Sequence, residues 1–266
     1  PETRQKPPLV TTDPTSAEMI KYASNAFLAT KISFANEIAG LCERVGADVV
    51  EVTRGMGLDS RIGPRFLGAG LGWGGSCFPK DTAALLALAG EYGYVMPITQ
   101  AAREVNAQQR RIAVEKLQEA LKVLRGRTIG VLGLAFKPGT DDIRESPAIE
   151  IIRLLTERGA HVKAHDPVAV ENARRVLADI EVEFVDDPYE LAQGCDGIVL
   201  ATEWDIYRAL DLAKLAASMR LPVLVDGRNV YDPEEARKAG FTYLGIGRPV
   251  SHVEAERRPA SAVMGA

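Results

Sequence analysis

The chain of 266 residues is long enough for one large or two ordinary domains, each with its own core. Hydrophobic residues make up 46% of it and charged residues 26%, which is typical of a globular protein. The net charge of -4 gives no electrostatic reason to expect nucleic acid as a partner, and no apolar run approaches a membrane span, so we expect neither partner.

The cysteines and histidines exclude several kinds of site. Cys42, Cys77 and Cys195 are too widely spaced for a disulfide framework or a zinc site, so we expect no metal and a reducing, cytoplasmic setting. We interpret Cys42 and Cys195 as structural. No histidine lies near Cys77 in the sequence, which argues against a hydrolase with a Cys/His pair.

The first element is a long helix. Residues 1–10 are predicted to form a linker, and Asp13 followed by Pro14 predicts a helix start, since one caps and the other suits the first turn. The helix should run to about Val45, where Gly46 ends it. Apolar residues recur along it at helical steps: Met19, Ile20, Ala23, Phe27, Ala29 or Thr30, Phe34, Ile38, Leu41 and Val45. Such a helix forms a dimer interface or, alternatively, lies in a core.

The rest of the N-terminal half is also predicted to be helical. A short helix should cover about Asp48 to Arg54, before Gly55. Another helix follows the glycine-rich stretch and runs to Gly90, and a further long one runs from Ile98 to about Leu124. Residues 11–124 are therefore predicted to form an all-α domain that ends in a connecting helix.

A glycine-rich loop with a cysteine interrupts these helices. Cys77 follows a run of five glycines: Gly68, Gly70, Gly72, Gly74 and Gly75. Pro79 suits the first turn of a helix, so Cys77 should lie just outside a helix N-terminus, with Lys80 in the first turn. The helix dipole and the ammonium would favour the thiolate, and Asp81 is close enough to accept a proton. We interpret the stretch as a nucleophile loop; the alternative is a glycine-rich turn around a small buried cysteine.

Residues 74–81, Gly-Gly-Ser-Cys-Phe-Pro-Lys-Asp, resemble the catalytic-cysteine signature of the UDP-glucose/GDP-mannose dehydrogenase family. These nucleotide-sugar dehydrogenases oxidise an alcohol to an acid, and the stretch is most similar to members that act on UDP-glucose. The resemblance implies that Cys77 is the nucleophile and that Asp81 assists a water molecule. It also implies that NAD is the cofactor, with Lys80 beside it.

Lys21 and Asn25 lie four residues apart on the long helix, so their side chains share one face. The surrounding stretch, residues 20–29, resembles the family helix that supplies an active-site lysine and asparagine. The resemblance implies that both side chains hold the oxygen of tetrahedral intermediates. By default, a lysine at this position would be a solvated surface charge.

Several further site residues follow from the same resemblance. Arg61 would reach the substrate in the neighbouring subunit of a homodimer built through the long helix; without the resemblance it is an ordinary surface arginine. Phe66, Trp73 and Gly74 would shape the sugar site.

Beyond residue 124 the pattern changes to short apolar runs that alternate with helical segments. The predicted strands are Thr128 to Leu134, His161 to His165, Val182 to Val185, Gly197 to Ala201, Pro222 to Val225 and Thr242 to Ile246. Helices are predicted at Pro147 to Arg158 and Val168 to Leu177. This alternation predicts a Rossmann-like, doubly wound parallel sheet over residues 125–250, and a tail at 251–266. The predicted fold class is α/β.

The loops at the carboxyl ends of these strands are where ligands of such sheets bind. The loop 136–146 lacks a full G-x-G-x-x-G, so a dinucleotide fingerprint is a poor match. It resembles the family's UDP-binding segment instead, which implies that Phe136 and Lys137 contact the nucleotide sugar and Arg144 the NAD pyrophosphate. By the same resemblance Arg228 binds the substrate; otherwise it is a surface salt-bridge residue.

The resemblance implies NAD-dependent, four-electron oxidation of UDP-glucose to UDP-glucuronate through a thioester on Cys77. Two alternatives stay open. A sister reaction would act on GDP-mannose or a UDP-N-acetylhexosamine. The chain would otherwise be a nucleotide-sugar-binding and dimerisation module without activity, since no segment resembling the family's N-terminal NAD domain precedes Pro1.

Overall fold

The structure is a computed structural model that describes residues 9–249. Residues 1–8 of the predicted linker and the whole predicted tail at 251–266 lie outside the described residues. Within the described span a helical N-terminal half precedes a six-stranded parallel sheet with flanking helices, so the predicted α/β class is confirmed. No helix in that span combines the length and apolar character needed to cross a membrane.

The N-terminal half contains four helices: α1 (Pro14–Val45), α2 (Val49–Gly57), α3 (Phe78–Glu91) and α4 (Pro97–Leu121). The prediction of one long first helix is confirmed. The Asp13 carboxylate caps it by accepting a hydrogen bond from the Ser16 amide at 2.9 Å. Gly46 ends it in the left-handed conformation, with φ of 80°, which glycine adopts without a steric cost.

Two of the predicted helix ends are wrong. α2 continues through Gly55 to Gly57, since a glycine inside a helix costs only about 1 kcal/mol and need not end it. α4 ends at Leu121 and not at Leu124, because Lys122 takes a φ of 65° and breaks the helical path.

The two sides of α1 differ in the size of their side chains. The side that packs on the rest of the chain carries small residues: Ala26, Ala29, Ser33, Ala35, Asn36, Ala39 and Cys42. Most large members of the predicted apolar stripe are exposed instead: Met19, Ile20, Phe27, Phe34, Leu41 and Val45. Ile38 alone among the large ones is partly buried against the core. The core-helix interpretation is therefore wrong for most of the stripe, because small residues let α4 approach α1 while most large ones face away.

The sheet consists of six parallel strands: β1 (Thr128–Leu132), β2 (His161–His165), β3 (Val182–Phe184), β4 (Gly197–Leu200), β5 (Val223–Asp226) and β6 (Thr242–Gly245). Their spatial order is β3-β2-β1-β4-β5-β6, so the predicted doubly wound sheet is confirmed. β1 ends two residues before the predicted Leu134, because Gly133 turns the chain with φ of 92°. The order reverses between β1 and β4. In folds of this kind the ligand crevice lies outside the carboxyl ends of the two strands at such a reversal.

Helices cover both faces of the sheet: α5 (Pro147–Glu157), α6 (Val170–Val176), α7 (Pro188–Ala192), α8 (Asp205–Arg208), α9 (Leu212–Ser218) and α10 (Pro233–Lys238). One core lies between the sheet and α4, α5 and α6, and the other lies beneath α7 to α10. α6 begins two residues after the predicted Val168, because the Asp166 carboxylate binds the amides of Val168 and Ala169 in a turn. α4 thus belongs to both halves, since it packs on α1 and on the sheet.

Candidate active site

Cys77 is the last residue of the cysteine loop, which we define as residues 67–77. Its thiol is exposed, whereas Cys42 and Cys195 are buried, as expected for structural cysteines. Cys77 occupies the cap position of α3, and its carbonyl accepts a hydrogen bond from the Asp81 amide at 2.8 Å. The thiol therefore stands at the entrance of a helix, one turn from a carboxylate.

The Asp81 carboxylate is fully buried and gathers three of the side chains singled out in the sequence. Asn25 Nδ2 donates to Asp81 Oδ2 at 2.6 Å, and Lys21 Nζ lies 3.8 Å from the same oxygen. Lys80 Nζ is bonded to the other oxygen, Oδ1. Burial raises the pKa of the Asp81 carboxyl, but the hydrogen bonds from Lys80 and Asn25 and the charge of Lys21 outweigh it and leave this pKa below its ordinary value. These contacts form what we call the Asp81 cluster: Lys21, Asn25, Lys80 and Asp81.

Buried polar side chains that the sequence analysis missed hold the cysteine loop against the helices. Asn36 Oδ1 accepts a hydrogen bond from the Gly70 amide at 2.8 Å. Asn106 accepts from the Trp73 amide at 2.7 Å and donates to the Trp73 carbonyl at 3.0 Å. Arg110, also buried, reaches the same carbonyl at 3.3 Å. The available signal was a set of polar residues at helical spacing on faces that otherwise carry small or apolar residues.

Trp73 itself is buried, so its placement differs from that of a residue lining an open sugar site. Its indole N–H donates to Ser33 Oγ at 3.0 Å. The Phe78 ring lies 6.1 Å from Trp73 in an edge-on arrangement and 6.2 Å from Phe66. Phe66 is partly exposed, and its backbone φ is 63°. Of the two predicted pocket aromatics, only Phe66 is open to solvent.

The cysteine loop is also attached to the loop that follows β1. The Gly75 amide donates to the Arg144 carbonyl at 2.8 Å. A Cβ at Gly74 would lie 2.1 Å from the Glu145 carbonyl oxygen, and one at Gly75 would lie 2.7 Å from the Phe136 ring. Only glycine permits the close approach of the Glu145 backbone at position 74 and of the Phe136 ring at position 75. The approach places Phe136 and Arg144 at the same edge as the cysteine loop.

Arg228 joins the cysteine loop to the opposite side of the crevice. Its Nε donates to the Ala201 carbonyl at 2.7 Å, and Nη1 donates to the Gly72 carbonyl at 3.3 Å. Glu203 Oε2 lies 3.3 Å from Nε. Burial lowers the pKa of Arg228, and the charges of Glu203 and Asp226 act against this shift. The guanidinium is therefore held at the junction of both halves, mostly buried.

The three other cations predicted to contact a ligand are exposed. Arg61 is highly exposed and pairs with Asp59 at 2.6 Å. Arg144 is exposed and pairs with Asp142, also at 2.6 Å. Lys137 is exposed, with Nζ 5.4 Å from the centre of the Phe136 ring. Within one copy of the chain, none of these cations contacts the Asp81 cluster.

Asp166, at the end of β2, is a second buried carboxylate, which the sequence analysis did not single out. Oδ2 accepts hydrogen bonds from the amides of Leu134 and Ala135, at 2.7 and 3.1 Å, and from the Trp204 indole at 3.1 Å. Oδ1 accepts from the two amides that precede α6, at 3.0 and 2.9 Å. Asp166 thus fixes the loop that leads to Phe136 and Lys137.

Residues 9–249 contain no group of three or more histidine, cysteine, aspartate or glutamate side chains able to hold a metal ion. The junction brings together a thiol, a carboxylate, an amide and several cations. A thiol beside proton-accepting and oxyanion-stabilising groups suits covalent capture of a carbonyl carbon.

Comparison with known proteins identifies two consecutive domains of one family. Residues 15–108 match the central domain of the UDP-glucose/GDP-mannose dehydrogenase family, and residues 130–233 match its UDP binding domain. UDP-glucose 6-dehydrogenase TuaD of Bacillus subtilis is 51% identical over 242 residues, which are 91% of this chain and 52% of that protein. UDP-glucose 6-dehydrogenase AglM of Haloferax volcanii is 48% identical over 90% of this chain and 54% of its own length.

Solved structures agree with this comparison. A UDP-glucose dehydrogenase from Pyrobaculum islandicum has a TM-score of 0.81 and 50% identity, over 89% of this chain and 52% of that one. UDP-D-ManNAc dehydrogenase from Pyrococcus horikoshii has a TM-score of 0.77 and 30% identity, over 89% and 53% of the two chains. The chain spans about half the length of the curated relatives it matches.

Proposed function

The chain belongs to the UDP-glucose/GDP-mannose dehydrogenase family, with its central and UDP binding domains, and from this we propose that it is the thiol-bearing and substrate-binding part of an NAD-dependent UDP-glucose 6-dehydrogenase. One observation carries the proposal: the exposed Cys77 thiol lies one helical turn from the Asp81 cluster, at the junction with the crevice of the parallel sheet. That arrangement supports oxidation of a sugar alcohol to an acid through a covalent thioester.

The nucleotide sugar would lie in the crevice at the carboxyl ends of β1 and β4. Lys137 and Arg228 supply positive charge there, and Phe136 supplies an aromatic surface. Arginine binds a diphosphate through paired hydrogen bonds and lysine binds it as a point charge. We assign these three residues to the substrate, together with Phe66, Trp73 and Gly74 at the sugar end. The buried Trp73 acts in this scheme by shaping the loop, since its N–H is already bonded to Ser33.

NAD would be held at the outer edge of the junction and not in the crevice. A Cβ at Gly133 would lie 2.4 Å from the Thr202 side chain, so the turn after β1 packs directly against the loop after β4. Asp166, where dinucleotide-binding domains hold a ribose, already has both oxygens engaged. The exposed cations Lys80 and Arg144 fit a pyrophosphate at the outer edge. When bound, NAD would accept a hydride from carbon 6 of the sugar in each oxidation.

The residues of this chain supply the remaining steps. After the first oxidation, the Cys77 thiolate forms a bond to the aldehyde carbon, and the carbonyl electron pair moves to oxygen. Lys21 and Asn25, whose side chains contact Asp81 in this structure, would donate hydrogen bonds to that oxyanion instead. Loss of the second hydride leaves a thioester. Water then adds to the carbonyl carbon while Asp81 takes its proton, the C–S bond breaks, and the acid and the thiol are released.

The exposed stripe of α1 supports a homodimer, which we also propose. Ile20, Phe27, Phe34 and Leu41 recur every seven residues and are exposed in the single chain, which is the pattern of a helix that packs on a second long helix. A second copy would cover these side chains and bring Arg61 towards the neighbouring site. Phe27→Glu should halve the molecular mass in sedimentation analysis, whereas Leu58→Glu, at an even more exposed residue outside α1, should not. A dimer that survives Phe27→Glu would contradict this assignment.

The substrate assignment is tested on Cys77 without any need for turnover. UDP-glucose should slow alkylation of the exposed thiol by iodoacetamide, and it should do so at lower concentration than GDP-mannose or UDP-N-acetylglucosamine. Stronger protection by either competitor would favour the sister reaction. If none of the three nucleotide sugars changes the alkylation rate, the substrate assignment is wrong.

The catalytic assignment needs a separate experiment. Cys77→Ser should still bind UDP-glucose in a calorimetric titration but should yield no UDP-glucuronate when NAD is supplied. Product formation by this variant would exclude Cys77 as the nucleophile. Tight binding of UDP-glucose by the unsubstituted chain, with no turnover on adding NAD, would favour the binding-module alternative for this chain.

A further inference from the structure

A cavity of about 200 Å³ lies between α1 and α4, behind the cysteine loop. Asn36 lines it from α1 and Gln109 from α4, and both side chains are at least 97% buried. Asn36 Nδ2 and Gln109 Oε1 are buried without a hydrogen-bond partner. The cavity therefore contains one unpaired donor and one unpaired acceptor.

The orientation of the Asn36 amide is fixed by the cysteine loop. Its Oδ1 accepts from the Gly70 amide at 2.8 Å, so a reversed amide would set Nδ2 against another donor. The donor must therefore face the cavity. A buried polar group without a partner loses its hydrogen bonds to water with no replacement, which is why such groups almost always bind water or another molecule.

The occupant has to accept from Asn36 and donate to Gln109. At the Asn36 and Gln109 end, a carboxylate would meet the Gln109 oxygen and a metal cation would meet the Asn36 N–H groups. The rest of the lining carries both signs of charge, from the acidic Glu43, Glu115 and Glu119 and the basic Arg44 and Lys116. A neutral hydroxyl group satisfies both at once. With about 30 Å³ for each water molecule, the cavity has room for several waters or for one small polyol.

We propose that this cavity is a binding site for a hydroxyl ligand, either an ordered water or a small polyol, that bridges Asn36 Nδ2 and Gln109 Oε1. The bridge keeps the Asn36 amide pointing its oxygen at Gly70 and so stabilises the cysteine loop from behind. The site is separate from the Asp81 cluster and from the substrate crevice, and it does not depend on the reaction assigned above.

Crystallography of this chain at about 1.8 Å, without polyols in any solution, tests the occupant. We expect density within about 2.7–3.2 Å of both Asn36 Nδ2 and Gln109 Oε1. A second crystal soaked in glycerol identifies the source: retained water density assigns water, and replacement by glycerol assigns the polyol. A direct bond between the two side chains, or an empty cavity, would overturn the proposal.

A pair of variants tests the link to the cysteine loop. Gln109→Leu removes the acceptor, and Gln108→Leu makes the same change at the exposed neighbour on α4. Because Cys77 is the exposed cysteine, its alkylation rate reports on the loop. We expect a several-fold change in rate for Gln109→Leu and none for Gln108→Leu, with circular dichroism to show that both fold. If both variants react at the unsubstituted rate, the proposed support of the loop is wrong; if Gln109→Leu does not fold, the crystals still decide the occupant.

Discussion

Two buried carboxylates, Asp81 and Asp166, differ in the kind of donor that surrounds them. Asp81 is bonded to side chains of Asn25 and Lys80, with Lys21 nearby, and both lysines are about 60% exposed. Asp166 accepts hydrogen bonds from four backbone amides and one indole. The two residues occupy similar places, near the start of a helix at the edge of a crevice.

This difference in donors is consistent with the chemical role proposed for Asp81 and with a structural role for Asp166. A lysine or asparagine side chain can turn from a carboxylate to a ligand by rotating a few bonds. A backbone amide cannot turn without unfolding its loop. The Asp81 donors could therefore turn to the oxyanion proposed above, whereas Asp166 holds one fixed loop in place. Substitutions at the two positions should consequently affect different measurements.

The largest expected effect on stability is that of Asp166→Asn. The amide NH₂ replaces one acceptor oxygen and faces backbone donors, so we expect a loss of about 3 kcal/mol in the free energy of unfolding. Urea denaturation measures it. Asp232→Asn is the matched control, since Asp232 is an exposed cap that accepts from two amides and asparagine caps helices equally well. Equal losses in the two variants would contradict the scaffold role.

Gly74→Ala should have the next largest effect, because it separates the cysteine loop from the sheet. The new Cβ would lie 2.1 Å from the Glu145 carbonyl oxygen, so backbone must move, at a cost of about 2 kcal/mol. We also expect weaker binding of UDP-glucose in calorimetry. At Gly68 the same change meets nothing within 4 Å, so Gly68→Ala should stay within about 0.5 kcal/mol.

Local signals in the sequence account for much of this architecture. The Asp13 cap, the length of α1 and the alternation of strands and helices all depend on neighbouring residues, and the structure confirms them. The four-residue spacing of Lys21 and Asn25 places both on one helix face. Asp81 joins them because α3 packs on α1.

The missed features depend on partners that are distant in the chain. Asp166 receives donors from residues 31 to 38 positions away, and the sequence gives no sign of which amides will need an acceptor. Asn106 and Arg110 look like polar positions on an ordinary helix until the cysteine loop covers them. Trp73 has the residue type of a ligand platform, yet its burial is decided by tertiary packing.

A smaller effect is expected for the contribution of Asp81 to the free energy of unfolding as the pH changes. Its pKa lies below the ordinary 3.8, so the ionised form favours the folded state. That contribution is fully present above the unfolded pKa and disappears as the pH falls through the lower folded pKa. The stability difference between the unsubstituted chain and Asp81→Asn should be constant from about pH 7 to 5 and should shrink below about pH 4. Because Lys21 and Lys80 are exposed, the whole pH-dependent contribution to the free energy of unfolding should be less than about 1 kcal/mol. A difference that grows in acid would contradict the lowered pKa.

The smallest stability effect, and the sharpest contrast with Asp166, is expected for Lys21→Met. Its ammonium lies 3.8 Å from Asp81 and is mostly exposed, so the free energy of unfolding should change by less than about 0.5 kcal/mol. If Lys21 donates to the oxyanion, however, the variant should bind the 6-aldehyde of UDP-glucose less well. A hydrogen bond to a charged group is worth about 1.5–3 kcal/mol, so protection of Cys77 by the aldehyde should weaken at least about tenfold.

Protection by UDP-glucose itself should hardly change in this variant, because the alcohol forms no oxyanion. The ratio of the two protection constants therefore isolates the contribution of Lys21 to the covalent adduct. Lys31→Met provides the control on the same helix, since Lys31 donates to the Ile62 carbonyl and has no contact with Asp81. An unchanged ratio for Lys21→Met would exclude Lys21 from the stabilisation of the oxyanion.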